Sequence, residues 1–332
     1  MPLKYLTPFI FLALLPLGGW LGSGWTFLAA AATPLCLTSF DAAMGDANFA
    51  PGDAHGVTPP WLPRLYIVLQ LAATAWAAAL VTRPATSLLE ATGLALSAGV
   101  TTGVFGFVAA HEMIHSRDRH DRGLGLALLG SVFYAHFRIA HVYGHHRRAA
   151  TFEDPATARL DEGLYAFLAR SIAGQFREAW EFEAKRQRPG VANRMVRYLV
   201  IEALFLVAIA MIDGRALAFA GAVAVSAVFL LESFNYVAHY GLSRRVAADG
   251  RLERLGPRHS WNTPRKMNNA ALFNMGRHSD HHRRVAHSYE RLEPLPGEAE
   301  LPSGYAAALL TALVPPLWRR VMDPRAKAAM AR

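Results

Sequence analysis

The sequence predicts an all-α integral membrane protein: six transmembrane helices carrying a cytoplasmic, helical, His-rich di-metal domain. Three observations predict it. Hydrophobic residues make up 53% of the 332, and they collect in long runs within residues 1–110 and 196–238. A run of about 20 apolar residues is long enough to cross a bilayer. Basic residues lie almost wholly on one side of those runs. Most of the 14 histidines fall in short clusters on that same side.

The spans follow in order. Tyr5–Leu21 and Trp25–Phe40 are separated by Gly18, Gly19, Gly22, Ser23 and Gly24, a composition suited to a tight hairpin turn. The first reads as a membrane helix and not as a cleaved leader, because a second apolar run follows at once where a polar mature domain would be expected. Leu65–Val81 and Leu88–Ala110 are the third and fourth spans. Val196–Ile212 and Leu217–Tyr236, separated by Asp213, Gly214 and Arg215, are the fifth and sixth. Six spans put both termini on one side. The far-side loops then carry only Arg83 and Arg215, leaving 32 of the 34 Lys and Arg residues with the termini. The positive-inside rule makes that side cytoplasmic, which for a bacterial protein is the inner face of the inner membrane.

The chain thus divides into 1–110 with four spans, a polar segment 111–195, spans five and six in 196–238, and a second polar segment 239–332. Asp41–Arg64, rich in Gly, Pro and Asp, reads as a loop on the cytoplasmic side. Tyr305–Trp318 is apolar but short and contains Pro315 and Pro316, so a surface or packed helix is expected there and not a seventh span. Net charge is +9, but the cations are interspersed with apolar spans and form no nucleic-acid patch. The single cysteine, Cys36, excludes a disulfide framework and a Cys-based metal site.

The histidines carry the chemistry. His111 and His115 stand four apart where the fourth span leaves the membrane, so they share a helix face. His141 and His145 repeat that spacing, with the adjacent His146 about 100° round the helix. His278, His281 and His282 form a third cluster, and His239 ends the sixth span. Hydropathy and charge, read without reference to histidine, put all nine at one membrane face. Neutral imidazole is the commonest protein metal ligand. A metal that keeps an open position rarely takes more than about four or five protein ligands, so nine imply two metals. Ligand type alone does not choose among Zn, Cu, Fe and Ni. A structural zinc site typically uses four ligands, often with Cys, and redox-active iron fits better. His-Glu-Met-Ile-His at 111–115 also matches the zinc protease pattern, but a protease has no use for the other two clusters. Isolated His55, His120, His136, His259 and His287 are left out as ordinary surface or core residues. Glu112, Asp280, Glu153 and Asp154 lie among the ligands and are candidate acceptors for the second imidazole N–H. Asp280, set between ligands, comes first.

These boxes resemble those of the membrane-bound alkane monooxygenases, bacterial alkane 1-hydroxylases related to xylene monooxygenase and more distantly to membrane fatty-acid desaturases. The resemblance covers residues 85–325. It is sharpened by Asn235-Tyr236-Val237-Ala238-His239-Tyr240-Gly241-Leu242, by Thr151–Arg159, by Ser260-Trp261-Asn262 and Leu272-Phe273-Asn274, and by Leu301–Arg325. Ala140 and Ala238 depart from it, standing where such sequences often have Glu. The resemblance implies a non-haem centre of two Fe ions and an O2-dependent hydroxylation of a terminal methyl group to a primary alcohol. It further implies that rubredoxin or ferredoxin, with its reductase, donates the electrons. The chain has no Cys pairs for an iron–sulfur site of its own, so the donor would be external. Arg147, Arg148, Arg283 and Arg284 would suit an acidic carrier. The alternatives are a xylene-type or fatty-acyl hydroxylase or desaturase and, in another class, a non-enzymatic membrane metal-binding protein.

Overall fold

A computed structural model describes residues 3–47, 61–246 and 249–331 of the chain. His55 and most of the expected loop 41–64 lie outside them. The described residues are overwhelmingly helical. The one sheet among them is a parallel pair of two-residue strands, β1 (Trp261–Asn262) and β2 (Ala299–Glu300).

Six helices are long and apolar enough to cross a membrane: α1 (Leu3–Leu21), α2 (Ser23–Met44), α3 (Leu62–Val81), α4 (Leu88–His115), α8 (Arg194–Ile212) and α9 (Gly214–His239). The chain is a multi-pass membrane protein. The helices begin and end within about five residues of the hydropathy limits. The turn between α1 and α2 hinges on Gly22, whose φ of 71° lies in the left-handed region that glycine enters without strain. Ser87 and Glu90 form a capping box at the start of α4, and the same Glu90 carboxylate accepts the Ser23 N–H at 2.7 Å, tying the hairpin to α4. Asp213 caps α9 by accepting the Arg215 N–H. α2 runs past Phe40 because buried Asp41 turns inward and accepts the Asn268 N–H at 2.8 Å.

The helices are not equivalent. In their most apolar stretches, 78% of α4 is buried inside the protein but only 17% of α8. α4 is therefore the central post, and the apolar surface of α8 faces lipid. Small residues allow that central packing. A Cβ at Gly103 of α4 would stand 2.9 Å from Leu230 Cβ and 3.0 Å from the Ala227 backbone of α9, closer than side chains tolerate.

Between α4 and α8 run α5 (Arg119–Ser131), a short helix α6 over residues 137–148, and α7 (Leu164–Lys185). After α9 come α10 (Lys266–Ala271), α11 (His278–Arg283), α12 (Tyr305–Ala312) and α13 (Pro315–Ala331). The expected helix at 305–318 is thus two helices. Pro315 opens the second, where its missing N–H costs nothing, and α12 packs on α9 and α2.

Candidate metal centre

Nine imidazoles meet at one end of the bundle, and local backbone geometry aims them. Two stretches follow a π-type i→i+5 pattern: Thr102–Gly106 within α4, ahead of His111, and Ala140–His145 within α6. Such bulges re-aim the residues that follow. The rings of His141 and His145, four residues apart, stack with centroids 5.1 Å apart, yet their nitrogens turn to different groups. His141 Nε2 lies 2.9 Å from His146 Nε2, and His145 turns to a different set of rings.

Two groups result. His111, His115, His141, His146 and His281 bring one nitrogen each within 4.8 Å of the others, and so do His145, His239, His278 and His282. In the first, His111 and His141 Nε2 are 2.8 Å apart, His115 and His146 3.1 Å, and His146 and His281 3.3 Å. In the second, His282 Nε2 is 3.1 Å from His278 and 3.3 Å from both His145 and His239. Boxes two and three each divide between the groups, so the two centres are adjacent; the His146 and His282 rings stand 4.8 Å apart across the boundary.

Hydrogen bonding among the rings does not account for this convergence. A neutral imidazole nitrogen either donates once or accepts, yet His282 Nε2 faces three others at once. Nitrogens about 2.1 Å from a shared metal ion would stand about 3.0–3.4 Å from one another. The observed spacings match that within a few tenths of an ångström, so the donor set fits a metal in each group. Electrostatics agree. Burial, reinforced by neighbouring imidazoles, pushes His141, His146, His278 and His282 well below the usual histidine range, and His281 to about 3. They are therefore neutral near pH 7, the form that ligates.

The candidate carboxylates have different fates. Asp154 Oδ2 accepts from His145 Nδ1 at 2.8 Å and from Thr157 Oγ1 at 2.6 Å, in a turn over 151–157. Burial alone would raise the Asp154 carboxyl, but His145 and Thr157 outweigh it and hold it below its ordinary range. Asp280 does not reach a ring; Arg284, one helical turn on, takes it at 2.7 Å, and the Glu293 N–H completes it. Glu112 accepts from the Tyr289 N–H, and Glu153 is exposed. Ala140 and Ala238 are both fully buried. Of the cations expected to face a carrier, Arg284 is engaged by Asp280 and Glu293, and Arg148 by Glu178, while Arg147 and Arg283 are exposed. His120, His136, His259 and His287 join neither group.

Other site residues escape sequence reading. Glu232, fully buried on α9, accepts from Tyr134, Ser171, Gln175 and Asn235, locking α9 to α7 and to the approach to α6 just above His239. Its signal in the sequence was a lone acid in an apolar span, which is costly unless it is paired.

Beside the groups lies an apolar cavity of about 230 Å³. Its walls come from α2 (Thr33, Leu37), α4 (Val104, Phe107), α9 and α12, and it ends on His111 and His141 of one group and His278 of the other. Neither α1 nor α3 contributes a residue to it.

Comparisons with known proteins show the family. The family model described as fatty acid desaturase matches residues 86–307. The chain is 40% identical over 247 residues to alkane 1-monooxygenase 2 of Pseudomonas aeruginosa, covering 72% of this chain and 65% of that protein. It is 38% identical over 299 residues to alkane 1-monooxygenase 1 of the same organism, covering 84% and 77%. To the hydroxylase component of the xylene/toluene monooxygenase of Pseudomonas putida it is 28% identical over 242 residues, covering 69% and 63%. The match to the first of these relatives thus spans just under two thirds of that protein's length.

Proposed function

The chain belongs to the fatty acid desaturase family, on its alkane monooxygenase branch, and from that premise we propose that it is a membrane di-iron monooxygenase. It converts the terminal methyl of an alkane or similar hydrocarbon to a primary alcohol. The balance is RH + O2 + two electrons + two protons giving ROH and water, with electrons from a rubredoxin or ferredoxin and its reductase. The observation that carries this reading is the apolar cavity that ends on imidazoles of both histidine groups.

His111, His115, His141, His146 and His281 would hold one iron, and His145, His239, His278 and His282 the other. Iron, when bound, supplies the oxygen activation and C–H cleavage that protein side chains cannot. The chain's own residues do the rest. Burial keeps the imidazoles neutral and ready to ligate. Asp154 fixes the orientation and tautomer of His145 by accepting its Nδ1–H. Phe107, Val104 and Leu37 hold the hydrocarbon end against the site and exclude water. Residues 111–195 and 239–332 form the cytoplasmic catalytic part, and both termini share that side of the inner membrane.

The test is an alkane series fed to cells that supply rubredoxin and its reductase, with products read by gas chromatography. Primary alcohols that vanish in His145→Ala are expected. No alcohol from any alkane, with iron still bound, would refute the substrate and turn the search to xylenes and acyl chains.

A further inference from the structure

All four rings of the second group, His145, His239, His278 and His282, are buried, so electrons bound for it must pass through the protein. One place combines a short route inward with a surface fit for a partner. A groove of about 290 Å³ lies between the 151–160 segment, the stretch after His239, and the end of α13. Its floor includes Thr157, Gly241 and Leu242; its rim includes Phe152, Arg159 and Lys327.

The floor touches the four-histidine group by two routes. Thr157 Oγ1 donates to Asp154 Oδ2 at 2.6 Å, and the same oxygen accepts from His145 Nδ1 at 2.8 Å. Two short hydrogen bonds therefore join the groove wall to a ring of that group. The second route is covalent, since Gly241 is two residues from His239.

The rim has the composition of a transient docking site. Phe152 is 75% exposed, which is unusual for an aromatic on the polar side of a membrane protein, and Leu160 beside it is 40% exposed. Arg159 stands 5.8 Å over the Phe152 ring. Arg159, Lys327, Arg147 and Arg245 are all exposed around it. Of the nearby acids, Glu153 is exposed, whereas Asp161 is paired with Arg319 and Glu162 with Arg170. An apolar contact ringed by cations suits a small acidic protein that must bind briefly and leave.

We propose that this groove receives a small acidic one-electron carrier, and that electrons pass from it through Thr157 and Asp154 to the four-histidine group. This rests on the oxygenase reading above. Each docked carrier is oxidised by one electron, and two successive dockings supply the two that a monooxygenation consumes, with O2 as the oxidant.

The test uses the iron-loaded full chain in lipid nanodiscs and a redox-inert, zinc-substituted rubredoxin as the probe. Saturable binding that weakens with salt is expected. Phe152→Ser, Arg159→Glu and Lys327→Glu should each weaken it roughly tenfold, with iron content unchanged and Arg188→Glu, an exposed charge elsewhere, neutral. Thr157→Val should leave binding intact but slow anaerobic reduction of the centre by reduced native rubredoxin, without slowing reduction by dithionite, and Thr157→Ser should restore it. Absence of binding by the wild type, or binding indifferent to the three groove variants, would overturn the proposal. Alcohol formation driven by dithionite reports on the oxygenase reading separately. Binding without alcohol sinks that reading and spares the groove, while alcohol without binding does the reverse.

Discussion

The five-histidine and four-histidine groups are built from the same boxes but face different surroundings. Two rings of the first, His111 and His141, form the end wall of the apolar cavity, against His278 alone from the second. Behind the second stands Asp154, hydrogen-bonded to His145, and Met275 Sδ lies 3.4 Å from His278 Nδ1. Among the described residues no carboxylate pairs with an imidazole of the first group; the two His–carboxylate contacts are His145–Asp154 and His259–Glu253. The first group gives two rings to the cavity and has two partly exposed members, His115 and His146, whereas all four rings of the second are buried.

The largest perturbation should erase the comparison. His111→Ala or His145→Ala removes a ligand from one group, and each is expected to abolish alcohol formation and lower iron toward one per chain, measured by metal analysis of membrane-extracted protein. Next, Asp154→Asn should separate the groups. Loss of an outer partner of a ligating histidine typically costs about 10–100-fold in metal affinity or activity, and here one of the two irons should be lost first on titration with a chelator. Equal loss from both would erase the distinction.

How much of this was legible beforehand depended on the range of the interaction. Hydropathy places six helices because the bilayer imposes one length on each, and histidine spacing locates the nine rings. The division between groups is not written in the spacing: His141 and His145 stack on one face, but the nitrogen that meets His141 belongs to His146, at the end of the π-type turn. Asp280, favoured by its position between ligands, is captured by Arg284 at the helical i+4 spacing. Asp154 prevails only because the turn over 151–157 folds it back, a tertiary fact. The cavity joins α2 to α12, nearly 280 residues apart in the chain by their numbering, and no local pattern reports such a meeting.

A smaller effect should sharpen the membrane-facing side. Val104→Phe or Leu37→Phe fills the cavity and should cut turnover of the longest accepted alkanes several-fold, with iron content unchanged, read from product profiles. The smallest is a pH effect on the metal-free protein. His136 is held near 4 by burial and His281 near 3 by burial first, against an ordinary 6.5. Their folded values lie below the unfolded one, so the unfolded chain binds more protons between them. Stability contributed by their neutrality is present above about pH 6.5 and is lost as pH falls toward 4 and then 3. Thermal midpoints of the apoprotein should decline across that window, and His136→Asn should make the decline shallower.

The most direct test of the central claim is iron counted per chain in protein purified from membranes, for the wild type beside His281→Ala and His278→Ala. Two irons in the wild type, and about one in each variant with distinct Mössbauer signals surviving, is the predicted result. One iron in the wild type, or the same surviving signal in both variants, would contradict a pair of separately held metals.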